Sequence, residues 1–556
     1  MKSYKYILLL IVIFLAAGCA ENFLDQKNLY QKSDESYYKT PEDIAEALTG
    51  AYASLPLNEG NNHPIVVAKL MSDDCFGGGG NNDDGFHSTD NFTLVNLDYY
   101  KPLFGSSWPG ILRTNLILKR FDQAKFSNEN DKNQALGEAY FLRAFLYFRQ
   151  AKFFGPVPLI LSPDPVSLPR ATPEEMYGQI AQDLKKAIEL MPATPYKSIP
   201  TTRLGHATKW AAEGIMARVF LFYTGYYKKD AIDLPDGGQV TKANVIAWLE
   251  DLINNSGHDL LSDFRNLWPY SHVQNYPYAA NNGLQWAGEK GDNNETIFAI
   301  KYSLNGDFNA PKKLSYCNQH VLYTGLRNQG HIPFGTGWGG GPVNPQLWDS
   351  FEDGDVRKVG SILNVNATNP DEATTTDAYI WNGDNNMHET GMWDKKYMPI
   401  YDKIPGGDRL VSIFFIEYGT PDNMQLWNMQ DDVLLRFADV LLMAAELGAP
   451  NAQQYFDKVR ERAGLGTKAV NLDNIMAERR HELAFEGLRY FDLLRWGIAK
   501  QAIEKANGVA VKNVGEDDVY EVSFPEATGG FLPIPKSEIV LSDGLLIPTP
   551  GWIGFD

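Results

Sequence analysis

The stretch from Glu478 to Gly497, ERRHELAFEGLRYFDLLRWG, constrains the fold more than any other part of the chain. It has no proline and one internal glycine, Gly487, among good helix formers, and its spacing predicts a continuous helix. Ala477, Ala484, Leu488 and Phe491 recur on one side, with Met476, Leu483, Tyr490 and Leu494 beside them. Two adjoining apolar faces require a helix wedged between neighbours, so the chain must supply other helices to enclose it. Arg479, Glu482, Glu486 and Arg489 fall three or four residues apart, a spacing that stacks them on a helix as alternating ion pairs. Such charges have two readings: Glu482 and Glu486 as a catalytic carboxylate pair, or a salt-bridge network that fixes how the helix docks. The network is the expectation here.

The enclosing helices are legible. Residues 41–55 start on the N-cap Thr40 with Pro41 in the first position. Residues 108–121 and 133–153 read as a helical hairpin, in which Gly137, Ala139, Ala144 and Ala151 lie among aromatics and allow a neighbour to come close. A further pair spans 173–191, capped by Thr172, and 206–226; single helices follow at 244–254, 431–446 and 452–463. Paired helices with small and large residues alternating resemble tetratricopeptide repeats without their strict period. Between 255 and 428 the chain changes character: Gly, Asn, Asp, Pro and aromatics dominate and periodicity is weak. The expected fold is therefore mainly α, with tetratricopeptide-like helix pairs over residues 36–254, an irregular loop-rich region over 255–428, and a helical region with an extended tail over 429–556.

The N-terminus reads as an export signal. Residues 1–18 carry Lys2 and Lys5, then an apolar run, then LAAGC ending at Cys19, a lipobox whose cysteine would be acylated after cleavage. Residues 19–35 would form a lipidated tether. No other apolar run approaches the ~20 residues that span a bilayer, so the mature chain is expected to be soluble but anchored. The other two cysteines, Cys75 and Cys317, have no metal-ligand or CxxC spacing and read as free buried thiols. A net charge of −19 argues against nucleic acid as a partner and is compatible with neutral ligands.

Several segments, in order, carry a family resemblance: the lipobox with its Phe-Leu-Asp tether, NNETIFAIKYS, FEDGDVR, WDKKY, LLRFADVLLMAAE, the 478–497 stretch and FLPIPKSEI. Together they resemble the SusD/RagB family of cell-surface glycan-binding lipoproteins. At the C-terminus, SDGLLIPTPGW departs from the family in lacking Gln-Asn before the closing Pro-Gly. The resemblance implies a helical scaffold capped by a loop domain and a non-catalytic role. It implies an outer-membrane location facing the cell exterior, capture of an oligosaccharide, and delivery to a SusC-like TonB-dependent β-barrel.

A sugar offers weakly apolar C–H faces and a ring of hydroxyls, so its site needs flat aromatics flanked by Asp, Asn and Arg. Trp338 is the leading candidate, because Gly335, Gly337 and Gly339 to Gly341 surround it and leave nothing local to bury it. The alternative is a plug folded back on the scaffold. Trp108, Asp73 and Asp74 are nominated by position, since a tryptophan and an acidic residue in this region touch sugar in starch-binding relatives; their plainer roles are helix-start packing and turn capping. Trp286 and Tyr276, with Tyr278 and Trp381, are candidates for an aromatic wall, each with core packing as its alternative. The oxygen-rich runs NNDDG at 81–85 and DDVLL at 431–435 match no full calcium loop, so no cofactor is expected and a structural calcium is the minor alternative. No GxSxG, HExxH or phosphate-binding loop occurs. Two rival functions stand beside glycan capture: a glycoside hydrolase built on paired carboxylates, and a helical scaffold that binds protein.

Overall fold

The computed structural model describes residues 37–555 apart from 58–59, 165–166, 289–292, 303–316, 373–374 and 376. The signal, Cys19 and the tether lie outside the described residues.

Ten helices make the scaffold: α1 (Pro41–Tyr52), α2 (Trp108–Arg120), α3 (Glu129–Phe154), α4 (Pro173–Leu190), α5 (Lys209–Tyr227), α6 (Lys242–Asn255), α7 (Phe437–Glu446), α8 (Ala452–Arg462), α9 (Leu472–Leu483) and α10 (Arg489–Trp496). Local chemistry sets their starts. Thr40 and Thr172 each accept from the backbone N–H three residues on, while Asp43 and Glu175 reach back to the cap. Gly137 lets α3 come close to α4: a Cβ there would lie 2.4 Å from Met191. Arg143 on α3 then grips Asp183 on α4 through two hydrogen bonds of 2.7 and 2.8 Å.

One apolar core serves the helices from both ends of the chain, with Phe141, Trp210 and Phe220 packed in the same cluster as Leu441, Phe456 and Phe491. The first and last helical stretches thus form one scaffold. The intervening loop-rich region has its own core of aromatics, among them Phe264, Trp268, Tyr270, Phe334 and Trp393. It is folded with little regular structure: most of its strands are two- or three-residue pairs. Among the described residues no helix is long and apolar enough to cross a membrane.

Two sequence expectations are corrected. Residues 432–436 are not the first turn of a helix but a strand, paired antiparallel with Thr296–Ile300. The strand brings Leu435 against Gly214 of α5, where a Cβ would stand 2.5 Å from the leucine. The 478–497 stretch is likewise not continuous. It breaks between α9 and α10, with Phe485 and Gly487 both left-handed, at φ 69° and 71°. Phe485 is pulled into a small cluster with Cys75, Val343 and Phe351, and tertiary burial overrides helix propensity. Gly487 meets Ile65 so closely that a Cβ would lie 3.2 Å from its Cα.

The ion pairs follow from the break. None of Arg479, Glu482, Glu486 and Arg489 pairs with another of the four. Arg479 holds Asp439 and Asp492. Glu482 takes Arg436, Arg462 and Arg357, while Glu486 takes Arg436 and Lys396. Burial pushes the Glu482 carboxyl up, yet Arg462, Arg436 and Arg357 together hold it well below the usual carboxylate range. The charges tie helices to the loop region rather than bracing one helix.

Candidate ligand-binding surface

Trp338 sits where three segments meet. Strand Leu326–Arg327 runs parallel to Thr336–Gly337, and Gly337 passes Gly325 so closely that a Cβ on it would lie 2.3 Å from the Gly325 Cα. Gly78 bridges Gly340, and Gly80 bridges Asn386. A Cβ on Gly78 would fall 2.4 Å from the Gly339 carbonyl oxygen, so backbones touch here where side chains cannot fit. The glycines that leave Trp338 without local cover are thus the residues that let the loops stack.

The indole of Trp338 is half-buried. It stands edge-on to Tyr323, with centroids 4.6 Å apart at 82°, over a small cluster of Val66, Leu70 and Phe86. Its backbone is fixed: the N–H donates to the Leu322 carbonyl at 2.8 Å, and its own carbonyl accepts from Arg327 at 2.9 Å. Arg327 is the clasp. It also donates to Asp83 at 3.0 Å and to the Asp384 carbonyl at 3.0 Å, and pairs with the Asp384 carboxylate at 3.1 Å. Asn328 donates to Asp384 at 2.6 Å. Asp83 and Asp384 remain 37% and 47% exposed, so their outer lone pairs stay available. Trp381, on the same loop as Asp384, is 39% exposed and edge-on to Tyr379. That loop turns through left-handed residues at Asn382, Asp384, Asn385 and His388, which explains its Asn/Asp/His composition.

Beneath the Gly77–Gly80 loop lies a buried acid. Asp90 accepts from the Gly77 N–H at 2.6 Å and from the Tyr520 hydroxyl at 2.6 Å. Burial outweighs both bonds and pushes its carboxyl up to about 8. His388, 3.6 Å away, is pushed down to about 4 by burial and the nearby His87.

The structure separates the other nominated residues from this surface. Trp108 starts α2, half-buried and edge-on to Phe104 and Tyr147 in the scaffold core, a different cluster from that of Trp338. Asp73 and Asp74 are corrected: 7% and 1% exposed, they bind Arg489 at 2.8 Å and Arg480 at 2.7 Å and so dock α9 and α10. Burial raises Asp73, but Arg480 and Arg489 hold it below the usual range. Tyr276 is also corrected: it is fully buried, donating to Glu372 at 2.6 Å and accepting from Lys395 at 3.0 Å, and shows no face to solvent. Trp286 is half-buried and edge-on to Phe414 at the rim of the second core. The sequence reading missed Arg327, Asn328 and Asp384; the Asn/Asp run at 382–386 was the available signal for Asp384 alone.

Metal-type ligands gather once among the described residues, at His63, His320 and Asp432, whose ligand atoms lie within 4.8 Å of one another. The Asp432 carboxylate accepts from His63 at 3.1 Å, Tyr302 at 2.8 Å, Asn318 at 2.9 Å and His320 at 3.2 Å. Four donors fill its lone pairs, and the cluster is a hydrogen-bonded knot joining the 432–436 strand to the loops. In the two oxygen-rich runs, Asp83 is engaged by Arg327 and the Gly80 N–H, and Asp431 by Lys301. Glu482 and Glu486, the carboxylate pair the sequence nominated for acid–base work, are buried and taken up by Arg357, Arg436, Arg462 and Lys396.

The structure is a helical-repeat scaffold with an irregular aromatic cap, and the cap carries the aromatic–carboxylate rim at Trp338. Comparison with known proteins is specific. The family described as "Starch-binding associating with outer membrane" matches residues 22–221, and the SusD family matches residues 294–552. The chain belongs to the SusD/RagB family. It is 24% identical to SusD-like protein P2 of Formosa agariphila over 99% of this chain and all of that one. It is 26% identical to a SusD-like protein of Bacteroides ovatus over 89% of this chain and 83% of that one. In fold it is similar to a laminarin-binding SusD-like protein (TM-score 0.72, 24% identity, 93% of this chain and 100% of that one). It is similar also to surface glycan-binding protein A of Bacteroides thetaiotaomicron in complex with laminarihexaose (TM-score 0.71, 22% identity, 92% and 99%).

Proposed function

We propose that this protein is a lipid-anchored, non-catalytic glycan receptor on the outer face of the outer membrane. It captures an uncharged oligosaccharide and passes it to a SusC-like TonB-dependent β-barrel. The observation that carries the reading is Trp338. A half-buried indole, held rigid by its backbone and by Tyr323, stands on a segment clasped by Arg327 to two partly exposed carboxylates. Rings of that kind stack on sugar C–H faces while the carboxylates accept from hydroxyls. Laminarin-type oligosaccharides are the first ligands to test, in view of the two structural neighbours named above. Trp381, on the loop clasped by Arg327, is the second platform. The reading uses no cofactor.

A glycan array followed by calorimetry on the best ligand tests it. The expected result is a binder whose affinity falls in Trp338→Ala and whose products show no cleavage. Unchanged affinity would remove Trp338, and cleavage products would restore the hydrolase reading. Protease treatment of intact cells tests orientation: loss of the protein without lysis is the expected outcome. Co-purification of a β-barrel with the detergent-solubilised protein tests the partner.

A further inference from the structure

The break between α9 and α10 leaves a cavity behind it. This space of about 60 Å³ lies between α3, α5 and the Glu486–Leu488 backbone, and a second of about 40 Å³ adjoins it across Phe148, Lys152, Arg218 and Leu488. A water needs roughly 10–15 Å³ on this scale, so the larger space has room for several waters or one tetrahedral ion, and none for a sugar ring. Its mostly apolar lining holds three cations, Arg149, Lys152 and Arg218, beside the carboxylates of Asp432 and Glu486.

The three cations keep donors to spare. Lys152 meets no carboxylate and no hydrogen-bond acceptor among the described residues; its ammonium rests 4.5 Å from the centre of the Phe491 ring. Burial, with Arg218 and Arg149 nearby, pushes it down to about 7. Arg149 gives three N–H groups to the Leu55 and Ser54 carbonyls and the Ser107 hydroxyl, all uncharged acceptors, and keeps two. Arg218 binds Asp439 and the Leu434 carbonyl through two of its nitrogens and keeps the rest. The carboxylates in the walls are already engaged: Glu486 by Arg436 and Lys396, Asp492 by Arg479 and Arg495, and Asp432 by four donors including His63. Buried cations without counter-ions cost the fold unless something neutralises them.

We propose that this cavity binds one free tetrahedral oxyanion, of the sulfate or phosphate class, through Lys152, Arg149 and Arg218. The ion ties α3 and α5 to the α9–α10 junction and brings Lys152 to full charge. The site is separate from the Trp338 surface and does not depend on the glycan reading.

Sulfate is the better probe, because it keeps one charge state from pH 6 to pH 9. The purified protein is melted at pH 6 in millimolar sodium sulfate and in sodium chloride of equal ionic strength. The expected result is a saturable rise of about 2–3 °C with sulfate only, lost in Lys152→Met and kept in Lys152→Arg. Salting effects act equally on wild type and variant and so cancel. Calorimetry on the wild type adds a readout that does not need the variant to fold. Sulfate should bind at least about tenfold more tightly at pH 6 than at pH 9, since Lys152 loses its proton between them. Equal melting in sulfate and chloride, a shift retained in Lys152→Met, or equal affinity at both pH values would each overturn the proposal.

Discussion

The junction of α9 and α10 and the rim at Arg327 use the same residue types to opposite ends. At the junction Arg436, Arg357, Glu482 and Glu486 are almost wholly buried, and each charge is met by two or three others. At the rim Arg327 is mostly covered, but its two carboxylate partners are 37% and 47% exposed. A buried network has no lone pair left for a ligand and is costly to disturb. A half-open one holds its loops and can still trade water for a sugar hydroxyl. Dense charge in the family's signature segment thus marks docking, while the charge proposed to meet a ligand lies in the loops with the weakest pattern.

The largest expected effect tests the buried side. Glu482→Gln leaves Arg436, Arg462 and Arg357 short of a shared carboxylate, and breaking a buried pair costs about 3–5 kcal/mol. Denaturant midpoints would show it; a loss under about 1 kcal/mol would break the contrast. Next comes the open side. Trp338→Ala should weaken glycan binding about 10- to 100-fold, the scale of a central aromatic anchor, with little change in melting temperature. Comparable losses in affinity and stability would mean that the indole is a plug.

Asp90 tests the layer between. Its carboxyl is held protonated up to about pH 8 in the fold and ionises near 4 in the unfolded chain. Across that window the folded state binds the extra proton, so this group's stabilisation is full below pH 4 and is lost as pH rises towards 8. Asp90→Asn should therefore gain on wild type between pH 5 and pH 8, by about 3 kcal/mol for a shift of that size. Midpoints at the two pH values measure it, and parallel profiles would contradict the shift.

Much of the scaffold was legible because its signals are local. Thr40–Pro41 and Thr172 with Glu175 mark helix starts that need only their own neighbours. The break at Phe485 was not legible, because it is set by a cluster of residues distant in the chain, including Cys75 and Val343. The same reason hid the strand at 432–436, whose partner lies at 296–300. At the surface, Trp338 stood out through its glycines. Asp73 and Asp74 misled because an acidic pair near a polar loop reads alike whether it faces solvent or two arginines four hundred residues on. Arg327 gave no sign at all, since a clasp is defined by what it joins.

The smallest expected effect is the sharpest test of openness. Asp384 pairs with Arg327 and accepts from Asn328, as closely as many pairs in the junction. At 47% exposure, however, water competes for every one of its bonds. Asp384→Asn should therefore cost under about 1 kcal/mol of stability, the range of exposed pairs, against several for Glu482→Gln. Its effect on glycan affinity should be larger than its effect on stability, because an amide replaces one acceptor oxygen with a donor where a sugar hydroxyl would give its proton. Measuring both in one variant separates the two roles. If stability falls further than binding does, the rim is a second docking network and the ligand surface lies elsewhere.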